Sequence, residues 1–149
     1  MISVLCPSRG RPESLCRSVD SLLDLAANPD AVQVLVAADP DDDGTLVVAD
    51  RRMGNKASVP LMPERFGYGQ LHRYYNYLAD IAKHDWLLLW NDDATMLTQG
   101  WDEVINAQEP GVLWLASNQG PYYFPAWPRA WSDAWGHVSL SPNVDVWVS

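Results

Sequence analysis

The sequence predicts an α/β fold, and three observations carry that prediction. Residues 2–38 read as strand, helix, strand, a unit that implies parallel pairing with a right-handed crossover. Trp86-Leu87-Leu88-Leu89-Trp90 is an apolar run, suited to a strand buried on both faces, and it ends abruptly in Asn91-Asp92-Asp93. Each early strand candidate is followed by a polar segment. In open α/β sheets that carboxyl edge is where ligands bind.

The size supports one folded domain. A chain of 149 residues can bury a real core but is short for two comfortable ones. With 48% apolar and 19% charged residues and no low-complexity tract, it is globular. A formal charge of −9 disfavours wholesale attraction to nucleic acid or to an anionic membrane. The basic residues are unevenly placed, however: Arg9, Arg11, Arg17, Arg51, Arg52, Lys56, Arg65 and Arg73 precede residue 75, and only Lys83 and Arg129 follow. A locally basic cleft for an anionic small molecule is compatible with that pattern. Cys6 and Cys16 suggest buried free thiols rather than a disulfide framework. Met1 runs directly into strand-like sequence and no apolar run approaches membrane-spanning length, so a cytoplasmic enzyme without a leader or a membrane span is expected.

Taken in order, Ile2 to Cys6 is β-rich and breaks at Pro7-Ser8-Arg9-Gly10-Arg11-Pro12. Pro12 suits the first turn of a helix, and Leu15, Val19, Leu22, Leu23 and Ala26 recur at helical spacing until Asn28-Pro29. Val32 to Ala38 is a second buried strand. It ends in Asp39-Pro40-Asp41-Asp42-Asp43-Gly44, a surface loop without the alternating ligand spacing and terminal Glu of a calcium loop. Residues 45–53 suggest a short helix, Ala57 to Met62 a weaker strand, and residues 63–69 a flexible loop. Leu71, Tyr74, Tyr75, Leu78, Ile81 and Ala82 place an amphipathic helix over Gln70 to Lys83, leading into the apolar strand. Trp101 to Ala107 is a short helix and Val112 to Ala116 a further strand. Residues 117–149, rich in aromatics and prolines, read as a wall that covers or lines a pocket.

Three features converge on one edge: Pro7-Ser8-Arg9-Gly10 after the first strand, Asp39 after the second, and Asn91-Asp92-Asp93 after the later one. In that order and alternation they resemble the nucleotide-sugar-binding half of a GT-A glycosyltransferase of the family 2 type. The resemblance covers essentially the whole chain. It implies a Rossmann-like mixed sheet flanked by helices with a minimal C-terminal part, as a single domain whose nucleotide-sugar-binding half is 1–95 and acceptor-side half 96–149. Small members of this look are frequent in bacteriophage genomes.

The resemblance implies roles residue by residue. Pro7, Ser8, Arg9 and Asp39 fall where the family holds the donor's nucleoside; an Asp can accept from base or ribose, and an Arg can clamp or stack. Asn76 keeps half of the family's Arg-Asn pair, but Tyr75 replaces the Arg, so Arg65 or Arg73 would supply charge towards the diphosphate; for Arg73, solvation on the helix surface is the simpler role. Asn91, Asp92 and Asp93 align with the family's Asp-X-Asp motif. Asp93 falls on the chelating position for Mn²⁺ or Mg²⁺, Asn91 replaces the first Asp, and Asn91 and Asp92 would organise the donor. In the tail, Asp145 is the expected catalytic base with Asp133 in reserve, and His137 is a candidate metal ligand or acceptor contact, against a structural role beside Gly136. Tyr122, Tyr123, Phe124, Trp127, Trp131 and Trp135 would serve as an acceptor platform or simply as core.

The implied activity is metal-dependent, inverting transfer of a sugar, of the hexosyltransferase type, from a nucleoside diphosphate sugar to an acceptor hydroxyl on a glycan, a small molecule or a hydroxylated DNA base. Family members continue well past the acidic motif, whereas this chain stops four residues after Asp145. A minimal enzyme, a trimmed form and an acceptor site completed by homo-oligomerisation all stay open. Two other functions compete: a non-catalytic nucleotide-sugar-binding module, and a metal-dependent nucleotidyltransferase, for which Ser8-Arg9-Gly10-Arg11 is a thin phosphate loop.

Overall fold

A computed structural model describes residues 1–118 and 120–141, without the side chains of Asp50, Pro121 and Tyr122. Among them, five strands form one sheet: β1 (Ile2–Ser8), β2 (Val32–Ala38), β3 (Trp86–Leu89), β4 (Leu113–Ser117) and β5 (Gly120–Pro128), in the order β2-β1-β3-β5-β4. β1 runs parallel to both neighbours, pairing Ile2 with Val32 and with Trp86. β5 runs antiparallel to β3 and β4, which makes the sheet mixed. The carboxyl ends of β1, β2 and β3 therefore open on one edge.

The helices α1 (Pro12–Asp24), α2 (Asp43–Val48), α3 (Leu71–Ile81), α4 (Trp101–Asn106) and α5 (Arg129–Trp135) flank this sheet. Alternation along the strands sends their side chains into two cores. Ile2, Val4 and Cys6 of β1 join Val34, Val36, Leu88 and the α1 residues Leu15, Val19 and Leu22 on one face. Leu5, Leu35, Leu87 and Trp127 join Tyr74, Tyr75 and Leu78 of α3 on the other. Each fully buried leucine contributes about 1.5–3 kcal/mol of transfer free energy, so a sheet covered on both faces explains why these strands read as unbroken apolar runs. Cys6 and Cys16 are buried free thiols, as their strand and helix positions predict.

Pro12 occupies the first turn of α1, where its missing N–H costs nothing. α1 is clipped to the end of β3 by Ser18, whose Oγ accepts from Trp90 Nε1 at 2.8 Å and donates to the Asn91 carbonyl at 3.1 Å. Asp102 of α4, itself buried, accepts from the backbone N–H groups of Ala27 and Asn28 at 2.7 and 3.0 Å and fixes the turn after α1.

Three expectations change. The helix expected at 45–53 starts earlier as α2 and continues as a π-helical turn over Ala49–Met53. The strand expected at 57–62 reduces to two isolated bridges to β2, Leu35 with Ser58 and Ala38 with Leu61, with Pro60 between them unable to donate to a ladder. The aromatic stretch after 117 is not merely a wall: it forms β5, inserted between β3 and β4, and then α5. β5 lies beyond residue 95 and pairs with β3, so the two expected halves share one sheet.

Candidate functional site

β1 is the central strand of the parallel part, so its terminal loop faces the ends of both β2 and β3. Gly10 adopts φ 68°, a conformation that favours glycine, and the arginines on either side of it diverge. Arg9 reaches the β2 side, where Nη1 donates to Asp39 Oδ2 at 2.8 Å and its two terminal nitrogens hold Asp41 at 2.5 and 3.0 Å. Arg11 reaches the β3 side, with Nη2 2.7 Å from Asp92 Oδ1 and Nη1 2.7 Å from Asp93 Oδ2. One loop thus pins both acidic ends of the edge.

The buried members are tightly placed. Asp92 is 1% exposed and takes the Ser8 hydroxyl on Oδ2 at 2.7 Å. Burial pushes its carboxyl above the ordinary value; Ser8 and Arg11 pull against that shift, and Asp93 adds to it. Asp39, 2% exposed, receives Arg9 on one oxygen and the Tyr74 hydroxyl on the other at 2.6 Å. Burial, and then that bond to Asp39, raises the Tyr74 phenol above its usual range. Asp42 begins α2, accepting from Thr45 N at 3.2 Å and from Gly10 N at 2.8 Å. Burial works against its ionisation, but these bonds outweigh it and its carboxyl lies below the ordinary value. For exposed Asp41, the hydrogen bonds from Arg9 lower the carboxyl despite some desolvation.

The expected site residues separate into groups. Pro7 lies in β1 just before Ser8; Ser8, Asp92 and Asp93 are joined through Arg11, and Arg9 and Asp39 form a second group with Asp41, which Arg65 approaches to 3.5 Å, the two groups meeting on one loop. Asn91 sits in the turn after β3, its side chain exposed at the mouth of a cleft. Asn76 turns elsewhere: its Oδ1 accepts from Val138 N and Ser139 N at 2.8 and 3.0 Å, and its Nδ2 donates to the Ser139 carbonyl at 2.8 Å. Arg73 stacks over Phe66, 3.9 Å from the ring centre, and pairs with Glu64, in keeping with a helix-surface role. Asp133 pairs with Arg129 within α5 and lines, with His137, Ala79 and Asp80, a small cleft to which Asp93 does not contribute. Asp145 lies outside the described residues, as does the Tyr122 side chain. Trp127 is fully buried core, whereas Tyr123 and Trp135 are partly exposed.

Sequence reasoning missed Arg11, Asp41, Asp42 and Tyr74 as parts of this network. The charge complementarity of the Arg9–Arg11 loop with the acidic loop after β2 was the available signal. Beyond Asp93 opens a cleft of about 1290 Å³, walled by Trp90, Trp101, Ile105, Trp114, Leu115 and Phe124, among others.

The donor set at the end of β3 is carboxylate only. Among the described residues no three metal-binding side chains cluster into a cage. Two adjacent carboxylates are a donor set that a hard ion such as Mg²⁺ or Mn²⁺ can use, with waters and phosphate oxygens as its other ligands. Asp93, 55% exposed and paired with Arg11, is the more accessible of the two acids, and Asp92 is anchored behind it by Ser8.

The mixed sheet of this order, flanked by helices, is the GT-A fold, as the matches that follow show. The family described as Glycosyl transferase family 2 matches residues 3–122, and the chain belongs to it. Solved structures agree in fold. A mannosyltransferase, PcManGT from Pyrobaculum calidifontis, in complex with GDP-Man and Mn²⁺, superposes with a TM-score of 0.73 at 14% identity, covering 93% of this chain and 47% of its own. S. aureus TarS in complex with UDP gives 0.77 at 14% identity, covering 97% and 52%. The TarS complex with UDP-GlcNAc gives 0.67 at 16%, covering 78% and 34%. The chain thus spans about half the length of these structures or less. No curated protein matches it in sequence. Among the described residues no helix is long and apolar enough to cross a membrane.

Proposed function

We propose that this chain is a divalent-cation-dependent, inverting glycosyltransferase that moves a sugar from a nucleoside diphosphate donor to an acceptor hydroxyl. The observation that carries this reading is the acid–arginine network along the carboxyl edge. Four carboxylates, Asp39, Asp41, Asp92 and Asp93, pair with three guanidiniums, Arg9, Arg11 and Arg65, while Asp42 accepts from Gly10 N of the same loop; five acids against three cations leave two formal negative charges. An anionic diphosphate would be repelled there unless it arrived with a divalent cation. PcManGT holds GDP-Man with Mn²⁺ and TarS holds UDP, which supports a nucleotide-sugar ligand on this edge.

In this reading Arg9 and Asp39 receive the nucleoside, with Asp39 accepting from base or ribose and Pro7 and Ser8 shaping the loop beneath. Asn91 and Asp92 orient the donor, Arg65 adds positive charge near the phosphates, and Asp93 holds Mn²⁺ or Mg²⁺. When bound, that ion neutralises charge developing on the leaving nucleotide. The apolar cleft beyond Asp93 receives sugar and acceptor, its aromatic walls offering flat faces. Asp145 takes the acceptor's proton as the hydroxyl attacks the anomeric carbon, a one-step displacement that inverts configuration. The acceptor is a glycan, a small molecule or a hydroxylated DNA base.

The test is a thermal-shift screen of UDP- and GDP-sugars with and without Mn²⁺. One donor should stabilise the chain only with metal, Asp93→Ala should lose that effect, and Asp145→Ala should keep binding but lose transfer. Full transfer by Asp145→Ala rejects the base assignment.

A second reading, a nucleotide-sugar-binding module without catalysis, draws support from the cleft itself: among its described lining residues Asp93 is the one carboxylate. Donor hydrolysis with Mn²⁺ separates the two, since a pure binder neither hydrolyses nor transfers.

A further inference from the structure

We propose that Arg11 is a resident counter-cation of the metal position. It holds Asp92 and Asp93 together until a divalent cation displaces it, and its released guanidinium then binds the donor's diphosphate. The inference rests on the metal reading of Asp93 given above.

The geometry is that of a latch. One guanidinium spans two adjacent carboxylates through different nitrogens, each contact 2.7 Å. The two acids it joins are unequal: Asp92 is 1% exposed with its second oxygen on Ser8, and Asp93 is 55% exposed. A cation arriving from solvent therefore meets Asp93 first, and completing its hold on the acid pair means displacing Arg11 from Asp93 Oδ2. One guanidinium against two carboxylates leaves one negative charge, whereas a divalent cation matches the pair.

The backbone beneath the latch is fixed while its head is free to leave. Arg11 immediately precedes Pro12, and its carbonyl accepts from Leu15 N at 3.0 Å as the first turn of α1 closes. Its side chain is 55% exposed, so rotation of the stem disturbs neither helix nor core. A bound cation repels the guanidinium, and the tether keeps it at the same edge, where its planar fork suits phosphate oxygens. Arg9 pairs with Asp39 and Asp41 and is 37% exposed, so Arg11 at 55% is the more accessible charge of the loop.

Two binding effects of opposite sign follow. Removing the latch frees the acid pair for metal, yet takes a ligand from the diphosphate. Free Mn²⁺ is followed by electron paramagnetic resonance during titration into wild type, Arg11→Gln and Asp93→Asn, and UDP and GDP binding is measured by calorimetry at saturating Mn²⁺. Arg11→Gln should bind Mn²⁺ alone roughly tenfold more tightly and the nucleotide roughly tenfold more weakly. A merely structural Arg11 would weaken both. Unchanged or weaker Mn²⁺ binding by Arg11→Gln overturns the latch, and unchanged nucleotide binding overturns the hand-over to phosphate. Should Arg11→Gln fail to fold, Arg11→Met carries the same test, because it removes the charge and keeps an unbranched stem of similar length. Wild-type-like Mn²⁺ binding by Asp93→Asn defeats the metal reading and this inference together. Asp93-dependent binding that ignores Arg11 defeats this inference alone.

Discussion

The Tyr74 hydroxyl donates a hydrogen bond to Asp39 Oδ1 at 2.6 Å and accepts from the N–H groups of Phe66 and Gly67 at 3.0 and 2.9 Å. A phenol has one proton and two lone pairs, and all three are used. A side chain on the core face of α3 thereby sets both the nucleoside-side carboxylate and the loop ahead of the helix. Tyr74→Phe should cost about 1–3 kcal/mol, because a buried carboxylate oxygen and two backbone donors lose their partner at once. Urea denaturation measures the cost, and amide exchange at Phe66 and Gly67 should quicken. A variant of wild-type stability with slow exchange there would show that this hydroxyl organises nothing.

Asn76 should prove to be a clamp on the segment after α5. Its amide makes three bonds to the backbone of Val138 and Ser139, both fully buried. Asn76→Ala leaves those backbone groups unsatisfied and should destabilise by about 2 kcal/mol. Limited proteolysis should then cut near Ser139 first. Loss of nucleotide affinity without any loss of stability would instead favour the donor-side role that the family resemblance implies.

The acid pair should leave a signature in the pH dependence of stability. Burial raises the Asp92 carboxyl above its ordinary value of 3.8. Between that value and the folded one, the native chain holds a proton that the unfolded chain has released, so this group's contribution falls as pH rises and is fully present below 3.8. Asp92→Asn removes the slope. Its stability relative to wild type should climb with pH through that window, in urea midpoints collected from about pH 4 to about pH 7. Parallel curves for the two proteins would contradict the assignment.

Gly10 carries a purely conformational requirement. At φ 68°, with no heavy atom within 4 Å of where a Cβ would stand, Gly10→Ala meets no clash and yet adopts a left-handed backbone. The expected penalty is about 1 kcal/mol by denaturation, with weaker donor binding because Arg9 and Arg11 diverge from this residue. A neutral substitution would mean that the loop has another conformation open to it.

Much of this architecture is legible in the chain. β1, β2 and β3 announce themselves as apolar runs because both of their faces are covered, and Pro12 marks the start of α1. β5 hides behind its prolines, which speak against a central strand. Pro125 falls where β5 has β4 alone as a neighbour, and Pro128 stands opposite Trp86 at the last position of the β3 ladder, beyond the reach of β4. At the site, Ser8, Arg9, Asp39 and Asp93 follow from strand ends plus family resemblance. The division of labour between Arg9 and Arg11 does not, because it depends on a left-handed glycine and on which strand flanks each side of β1. Tyr74 reads as core by periodicity, and its hydroxyl's destination is set by a loop that periodicity does not describe.

The two buried thiols have a practical consequence. Cys6 lies wholly inside β1, where burial pushes its pKa far above that of a free thiol and suppresses the thiolate, and Cys16 is 2% exposed on α1. Neither offers a thiolate to reagent in the native chain. Alkylation would therefore proceed only through opening events, with Cys16 reporting release of α1 and Cys6 the rupture of β1 from its two parallel neighbours. Timing the two labels against each other would order the loss of these layers without any added probe.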